Sequence, residues 1–131
     1  MARIVRGYPL LIDRIHAQFG VRGKPVIYAW GDIIYNPMGI VIPPELLVHE
    51  AVHCERQGID PVSWWEQYLD DELFRLDEEV LAHRAEYEFL THTGNRAMRR
   101  GAAAAVAGRL ASPLYGRMIS KADAVRALVN G

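Results

Sequence analysis

In the stretch LLVHEAVHCERQG, Leu46 to Gly58, two histidines stand four residues apart and a glutamate follows the first. On a helix such positions share a face, so His49 and His53 can direct ring nitrogens at one ion, about 2.0–2.1 Å away if it is zinc. Glu50 lies about 100° around the helix from His49, beside the pair, where it can reach an activated water without taking a ligand position. The chemistry uses each part. The cation lowers the pKa of its water to about 7, and the carboxylate takes the proton as that water attacks a carbonyl, a peptide bond being the obvious target. The pattern alone is equally compatible with two histidines satisfied at a packed surface. Its flanks favour the site: Leu46, Leu47, Val48, Ala51 and Val52 make most of the helix apolar, so its polar residues belong to an element expected to be buried. Buried polar groups need partners, and a metal supplies one.

A catalytic zinc takes three protein ligands and keeps a fourth position open. In RLDEEVLAHRAEYEF, Glu79 falls at the edge of an apolar stripe of Leu76, Val80 and Tyr87, whereas Glu78 and Glu88 point away from it. Glu79 is therefore the first choice for the third ligand. His83, one turn later, lies near the centre of the stripe and Glu86 at its border. Each is a candidate ligand or a partner that orients one, although His83 by itself reads more readily as a histidine packed in a core. Tyr68, Tyr87 and Tyr115 are all available to stabilise an oxyanion, and the sequence does not choose among them. Cys54 points about 100° away from the metal face and reads as packing, neither ligand nor nucleophile. Trp64, Trp65 and Tyr68 read as core and cleft wall rather than as a base-stacking platform.

The elements that must hold these residues can be traced along the chain. PLLIDRIHAQF has helical apolar spacing, with Gly20 as its stop. PVIYAW and IIYN, separated by Gly31-Asp32, predict a hairpin, and GIVIPP adds a candidate third strand. The motif helix should run from Pro44 to Gln57, with Gly58 as its cap. Asp60-Pro61 opens the next helix. LFRLDEEVLAHRAEYEFL predicts a long helix whose stripe of Leu73, Leu76, Val80, Tyr87 and Leu90 faces a core, and TGN, Thr93 to Asn95, breaks it. Helices from Arg96 to about Leu110 and from Lys121 to about Val129 complete the chain, the last opened by Ser120 and Asp123 in a capping-box arrangement. The class expected is α+β and mostly helical.

Composition bounds the setting. The chain of 131 residues is half hydrophobic, enough for one core and too short for two ordinary domains, so residues 1–131 are expected to form a single domain. A formal charge of -1 gives no net attraction to nucleic acid or an acidic membrane, and RAMRR, Arg96 to Arg100, reads as a solvated helix face. The one cysteine excludes an intramolecular disulfide, which fits a reducing, cytoplasmic compartment. Neither a signal peptide nor a membrane span is read from the sequence.

His49-Glu50-x-x-His53 followed on a later helix by Glu79-x-x-Ala82 resembles the gluzincin branch of the zincin metallopeptidases, in which a downstream glutamate completes the zinc site. The wider run HEAVHCERQG, WWEQYL, FRLDEEVLAHRAEY and SPLYG, within about Ile33 to Gly116, is similar to small zincin-like proteins encoded in bacteriophage and prophage genomes. The resemblance implies a minimal zincin-like fold, a Zn2+ held by His49, His53 and Glu79, Glu50 as general base, and a hairpin bordering the cleft. A peptide or protein substrate would follow. The alternative is a non-catalytic phage or prophage assembly protein that keeps the scaffold around a structural zinc. The chain departs from the larger gluzincins at one position. Those often carry an aspartate four residues after the glutamate ligand, orienting a zinc histidine, and here His83 stands in its place.

Overall fold

The computed structural model describes residues 2–93 and 95–130, with backbone only at 93, 98–100 and 130. Its elements, in order, are β1 (Arg3–Val5), α1 (Ile12–Phe19), β2 (Tyr28–Trp30), β3 (Ile33–Tyr35), α2 (Pro44–Gln57), α3 (Pro61–Asp70), α4 (Glu72–Thr93), α5 (Arg96–Leu110), a 3-10 turn (Pro113–Tyr115) and α6 (Lys121–Asn130). This is an α+β arrangement dominated by helix. None of the described helices is long and apolar enough to cross a membrane.

Local chemistry sets most of these boundaries. Gly20 closes α1 in the left-handed region and donates to the His16 carbonyl at 2.7 Å. Asp60 caps α3 by accepting from the Ser63 N–H at 3.0 Å, with Pro61 at the first helical position. Asp71 opens α4 by accepting from the N–H groups of Leu73 and Phe74. Ser120 accepts from the Asp123 N–H at the start of α6. The break between α4 and α5 falls where expected, although Gly94 lies outside the described residues. Arg96 is exposed, and the side chains of Arg99 and Arg100 are likewise outside them.

The sheet corrects one expectation. β2 and β3 form the predicted antiparallel hairpin around Gly31-Asp32, but the third strand is β1, parallel to β3, with Arg3 opposite Ile33 and Val5 opposite Tyr35. Residues 39–43 form no strand, because the Asn36 side chain bonds both the N–H and the C=O of Ile40 and fixes a loop there. The outer edge of β2 is covered by helix side chains: the Ala29 carbonyl accepts from Gln57 Nε2 at 3.0 Å and from Trp65 Nε1 at 2.9 Å.

Two hydrophobic clusters flank the α2–α4 contact. One joins Ile15, Val21 and Tyr28 to Trp64, Trp65, Tyr68 and Leu69 of α3. The other joins Val106, Ala107 and Leu110 of α5 to Ala124 and Leu128 of α6, with Val80, Tyr87 and Leu90 of α4 packed against it. The expected stripe on α4 is thus real over its later turns but only partly buried, and Leu73 is exposed. What α4 buries most deeply is Arg75, Glu78, Glu79, Ala82, His83 and Glu86. Glu78, expected to point outward, is 2% exposed because Arg56 and the Trp64 indole N–H both bond its carboxylate. Glu88 is exposed, as expected.

Candidate metal centre

The motif helix also buries the reverse of its apolar flanks. On α2 the buried residues are His49, Glu50, His53 and Gln57, while Ala51 is exposed and Leu46, Leu47, Val48 and Val52 are only partly covered. A polar stripe on an amphipathic helix normally faces water. Here it faces α4, whose Glu79, His83 and Glu86 meet it at one to two turns' spacing.

His49, His53 and Glu79 each bring one ligand atom to within 4.8 Å of the others. His49 Nε2 lies 3.3 Å from Glu79 Oε1, and His53 Nε2 lies 3.2 Å from Glu79 Oε2. Donors about 2.05 Å from a tetrahedral zinc are separated by about 1.63 bond lengths, or about 3.3 Å, which is the distance of each histidine from the Glu79 oxygen nearest to it, the two contacts using different oxygens. His49 Nδ1 sits 3.1 Å from Glu86 Oε1, so in the tautomer that donates to Glu86 its Nε2 presents a lone pair to Glu79. Two lone pairs at that distance repel unless a cation, either a proton or a metal ion, lies between them. The donor set of two imidazoles and one carboxylate suits zinc.

Electrostatics within the cluster follow from burial and from charge pairing. Burial opposes the charged form of His49, but the adjacent Glu79 carboxylate and the Glu50 charge outweigh it and raise its pKa. Burial works in the opposite sense on Glu79, and there the neighbouring His53 and His49 prevail, holding the carboxyl well below its usual range. Glu50 is raised, chiefly by burial, which is the direction that brings a carboxylate towards general-base duty near neutrality. His83 is pushed down to about 3 by burial and by His49, so it stays neutral.

Of the tyrosines, Tyr68 donates to Glu79 Oε2 at 2.6 Å and is committed to that carboxylate. Tyr87 packs against the α5–α6 cluster. Tyr115 lines the cavity in front of the site, its ring edge-on to His83 at 5.3 Å and its pKa raised by burial and by the charges of Glu79 and Glu50. The cavity encloses about 280 Å³, and its lining joins the apolar Phe19, Val21, Ile27, Ala29, Trp65 and Leu114 to His49, Glu50, His53 and Glu79. Cys54 faces elsewhere, its thiol 3.9 Å from the Ile33 carbonyl oxygen and pushed up to about 11, chiefly by burial.

A second donor set overlaps the first: His49, His83 and Glu86 also lie within ligand reach of one another. Its carboxylate is already engaged, since the Arg109 guanidinium of α5 bonds Glu86 Oε2. Sequence reasoning had no signal for Arg109, because nothing in RAMRRGAAAAVAGRL indicates which turn of α5 lies over Glu86. Glu86 itself was legible only as a residue two turns after Glu79 on the same helix. The chain matches no family model, no curated protein and no solved structure.

Proposed function

We propose that this protein is a zinc-dependent peptidase in which His49, His53 and Glu79 hold the metal and Glu50 serves as general base. The observation that carries the reading is the convergence of three buried side chains, His49, His53 and Glu79, each with a donor atom within 4.8 Å of the others, with Glu50, a second buried carboxylate, beside them at the wall of a cavity. A zinc ion bound there would supply Lewis-acid polarisation of a carbonyl and lower the pKa of water to about 7. The chain's own residues supply the rest. Glu50, raised by burial, accepts the proton of the attacking water and passes it towards the leaving amine. Of Tyr68, Tyr87 and Tyr115, Tyr115 is the one that lines the cavity without being committed to Glu79, and it is the donor offered here to a developing oxyanion. Tyr68 holds Glu79, leaving the carboxylate less freedom to swing away from the histidines. The apolar walls receive a side chain next to the scissile bond and exclude water.

The test pairs metal content with turnover. Protein purified without added zinc should carry about one zinc per chain. Wild type and Glu50→Gln are then incubated with a diverse peptide library, with and without chelator, and products are counted by mass spectrometry. Glu50→Gln should retain zinc and lose hydrolysis by about a hundredfold or more. Equal cleavage by both proteins would assign the activity to another base or a contaminant. Full zinc occupancy with no cleavage by either would replace the peptidase reading with that of a structural zinc.

A further inference from the structure

We propose that Glu86 is a positioning residue that fixes His49 with Nε2 turned towards the metal, and that Arg109 holds Glu86 in that pose. The proposal rests on the zinc reading above. Imidazole offers two nitrogens, and the partner of one decides which is left to bind a metal. His49 and His53 approach Glu79 alike, both through Nε2. Behind the ligand atom they differ. His49 Nδ1 meets Glu86 Oε1 at 3.1 Å, whereas His53 Nδ1 is buried with no hydrogen-bond partner. One histidine is oriented by a carboxylate, and the other is held by packing against the Trp64 ring at 5.2 Å.

Glu86 is 2% exposed, and a carboxylate so buried is costly unless its oxygens are occupied. Oε1 takes the imidazole and Oε2 takes the Arg109 guanidinium, so both are used. Arg109 is half exposed and lines the cavity, which links the α5 helix and the pocket wall to the ring angle of a metal ligand. The same contacts decide against placing an ion in the His49, His83 and Glu86 set. His49 Nδ1 cannot donate to Glu86 and ligate at once, and a second cation beside Glu86 would face the guanidinium. His83 does not fill the orienting role, because its Nδ1 sits 2.7 Å from the Glu79 carbonyl oxygen and its Nε2 makes no hydrogen bond to either ligand imidazole. The orienting carboxylate comes from the next turn of α4 instead.

The experiment measures zinc affinity by competition with a chromophoric chelator, and reads ring-nitrogen and ring N–H resonances of both histidines in the zinc-loaded protein. Wild type should show His49 bound through Nε2 with a hydrogen-bonded Nδ1–H. Glu86→Ala should bind zinc about 10- to 100-fold more weakly and lose that N–H signal, while the His53 resonances stay in place. Arg109→Gln, at a half-exposed position, should weaken binding by a smaller factor, and Arg109→Lys should recover it; this pair decides the matter if Glu86→Ala does not fold. Wild-type affinity and an intact His49 N–H signal in Glu86→Ala would overturn the positioning role while leaving the zinc reading standing. Loss of zinc in His83→Ala with retention in His53→Ala would place the ion in the other set and overturn both. Absence of zinc from the wild type would remove the zinc reading and the inference with it.

Discussion

Helix α4 divides two interiors that handle burial in opposite ways. Towards α5 and α6 it lends Val80, Tyr87 and Leu90 to an apolar cluster, beside which the Arg84 guanidinium is held by the Ala127 carbonyl at 2.9 Å. Towards α2 it buries Glu79, His83 and Glu86 against His49, Glu50 and His53. Aliphatic burial stabilises in proportion to the area removed from water, at about 25 cal/mol per Å². A seam of carboxylates and imidazoles does not, since desolvating each charge costs several kcal/mol and is offset only where partners are well placed. The difference separates what each interior is for: the α5–α6 side supplies stability, and the α2–α4 side spends some of it to hold titratable groups in a fixed, dry arrangement.

The comparison can be broken most forcefully on its aliphatic side. Leu128, 3% exposed on α6, is expected to cost about 3 kcal/mol on replacement by alanine, through lost burial and the cavity left behind, as read by urea unfolding. Zinc affinity of the folded Leu128→Ala protein should match that of wild type. A parallel loss of zinc binding would mean that the two interiors are one mechanical unit.

On the polar side the largest effect should come from the metal. On the proposed zinc reading, zinc at about 100 times its dissociation constant should stabilise the wild type by about 2.7 kcal/mol, the value for a ligand that binds only the folded state. Glu79→Gln, which leaves one neutral oxygen in place of the carboxylate, should weaken affinity at least about tenfold and remove about 1.4 kcal/mol of that gain at the same zinc concentration. Thermal unfolding with and without zinc measures both. A gain that survives in Glu79→Gln but vanishes in His83→Ala would move the third ligand to His83.

The two interiors were also unequally legible. Helix ends were readable because they rest on single residues with local partners, such as Gly20, Asp60 with Pro61, and Ser120. The spacing of His49, Glu50 and His53 and the choice of Glu79 needed only helical geometry. Three features depended on distant contacts and were not readable. β1 is a three-residue strand whose identity comes entirely from its parallel pairing with β3. Glu78 looks solvent-facing on a helical wheel until Arg56 and Trp64 close over it. Apolar flanks suggested that α2 would bury leucines and valines, whereas its deepest face is the polar one, because α4 offers it acids and a histidine rather than an aliphatic groove.

A pH dependence tests how dry the seam is in the metal-free protein. His83 has a folded pKa of about 3 against about 6.5 unfolded, so between those values the unfolded state binds a proton that the folded state refuses. Its contribution to stability is complete above pH 6.5 and is lost as pH falls towards 3, at up to about 1.4 kcal/mol per pH unit. Glu50, raised in the folded state, acts in the opposite sense above the usual carboxylate range, so the readout is the difference between wild type and His83→Gln. Unfolding free energies at pH 4 and pH 6 should converge in the variant relative to wild type. An identical pH slope in both proteins would show that His83 is solvated in solution and that the seam is wetter than its burial implies.

The smallest effect expected lies at the junction that brings the aromatic wall to the metal side. Asp60 caps α3 through the Ser63 N–H, and α3 carries Trp64 against His53 and Tyr68 onto Glu79. Asp60→Ala should cost about 1 kcal/mol, the usual worth of an N-cap side chain. Because the cap is exposed and its loss frays the first turn of α3, the effect should be felt first at Trp64, four residues along, and not at all in the α5–α6 cluster. Hydrogen exchange distinguishes these places. Faster exchange confined to the start of α3, with weaker zinc binding by no more than about twofold, would fit a centre built on α2 and α4 and only braced by α3. Zinc binding lost to the same extent as in Glu79→Gln would instead make α3 a structural part of the centre, and the division of the molecule along α4 would have to be redrawn to include it.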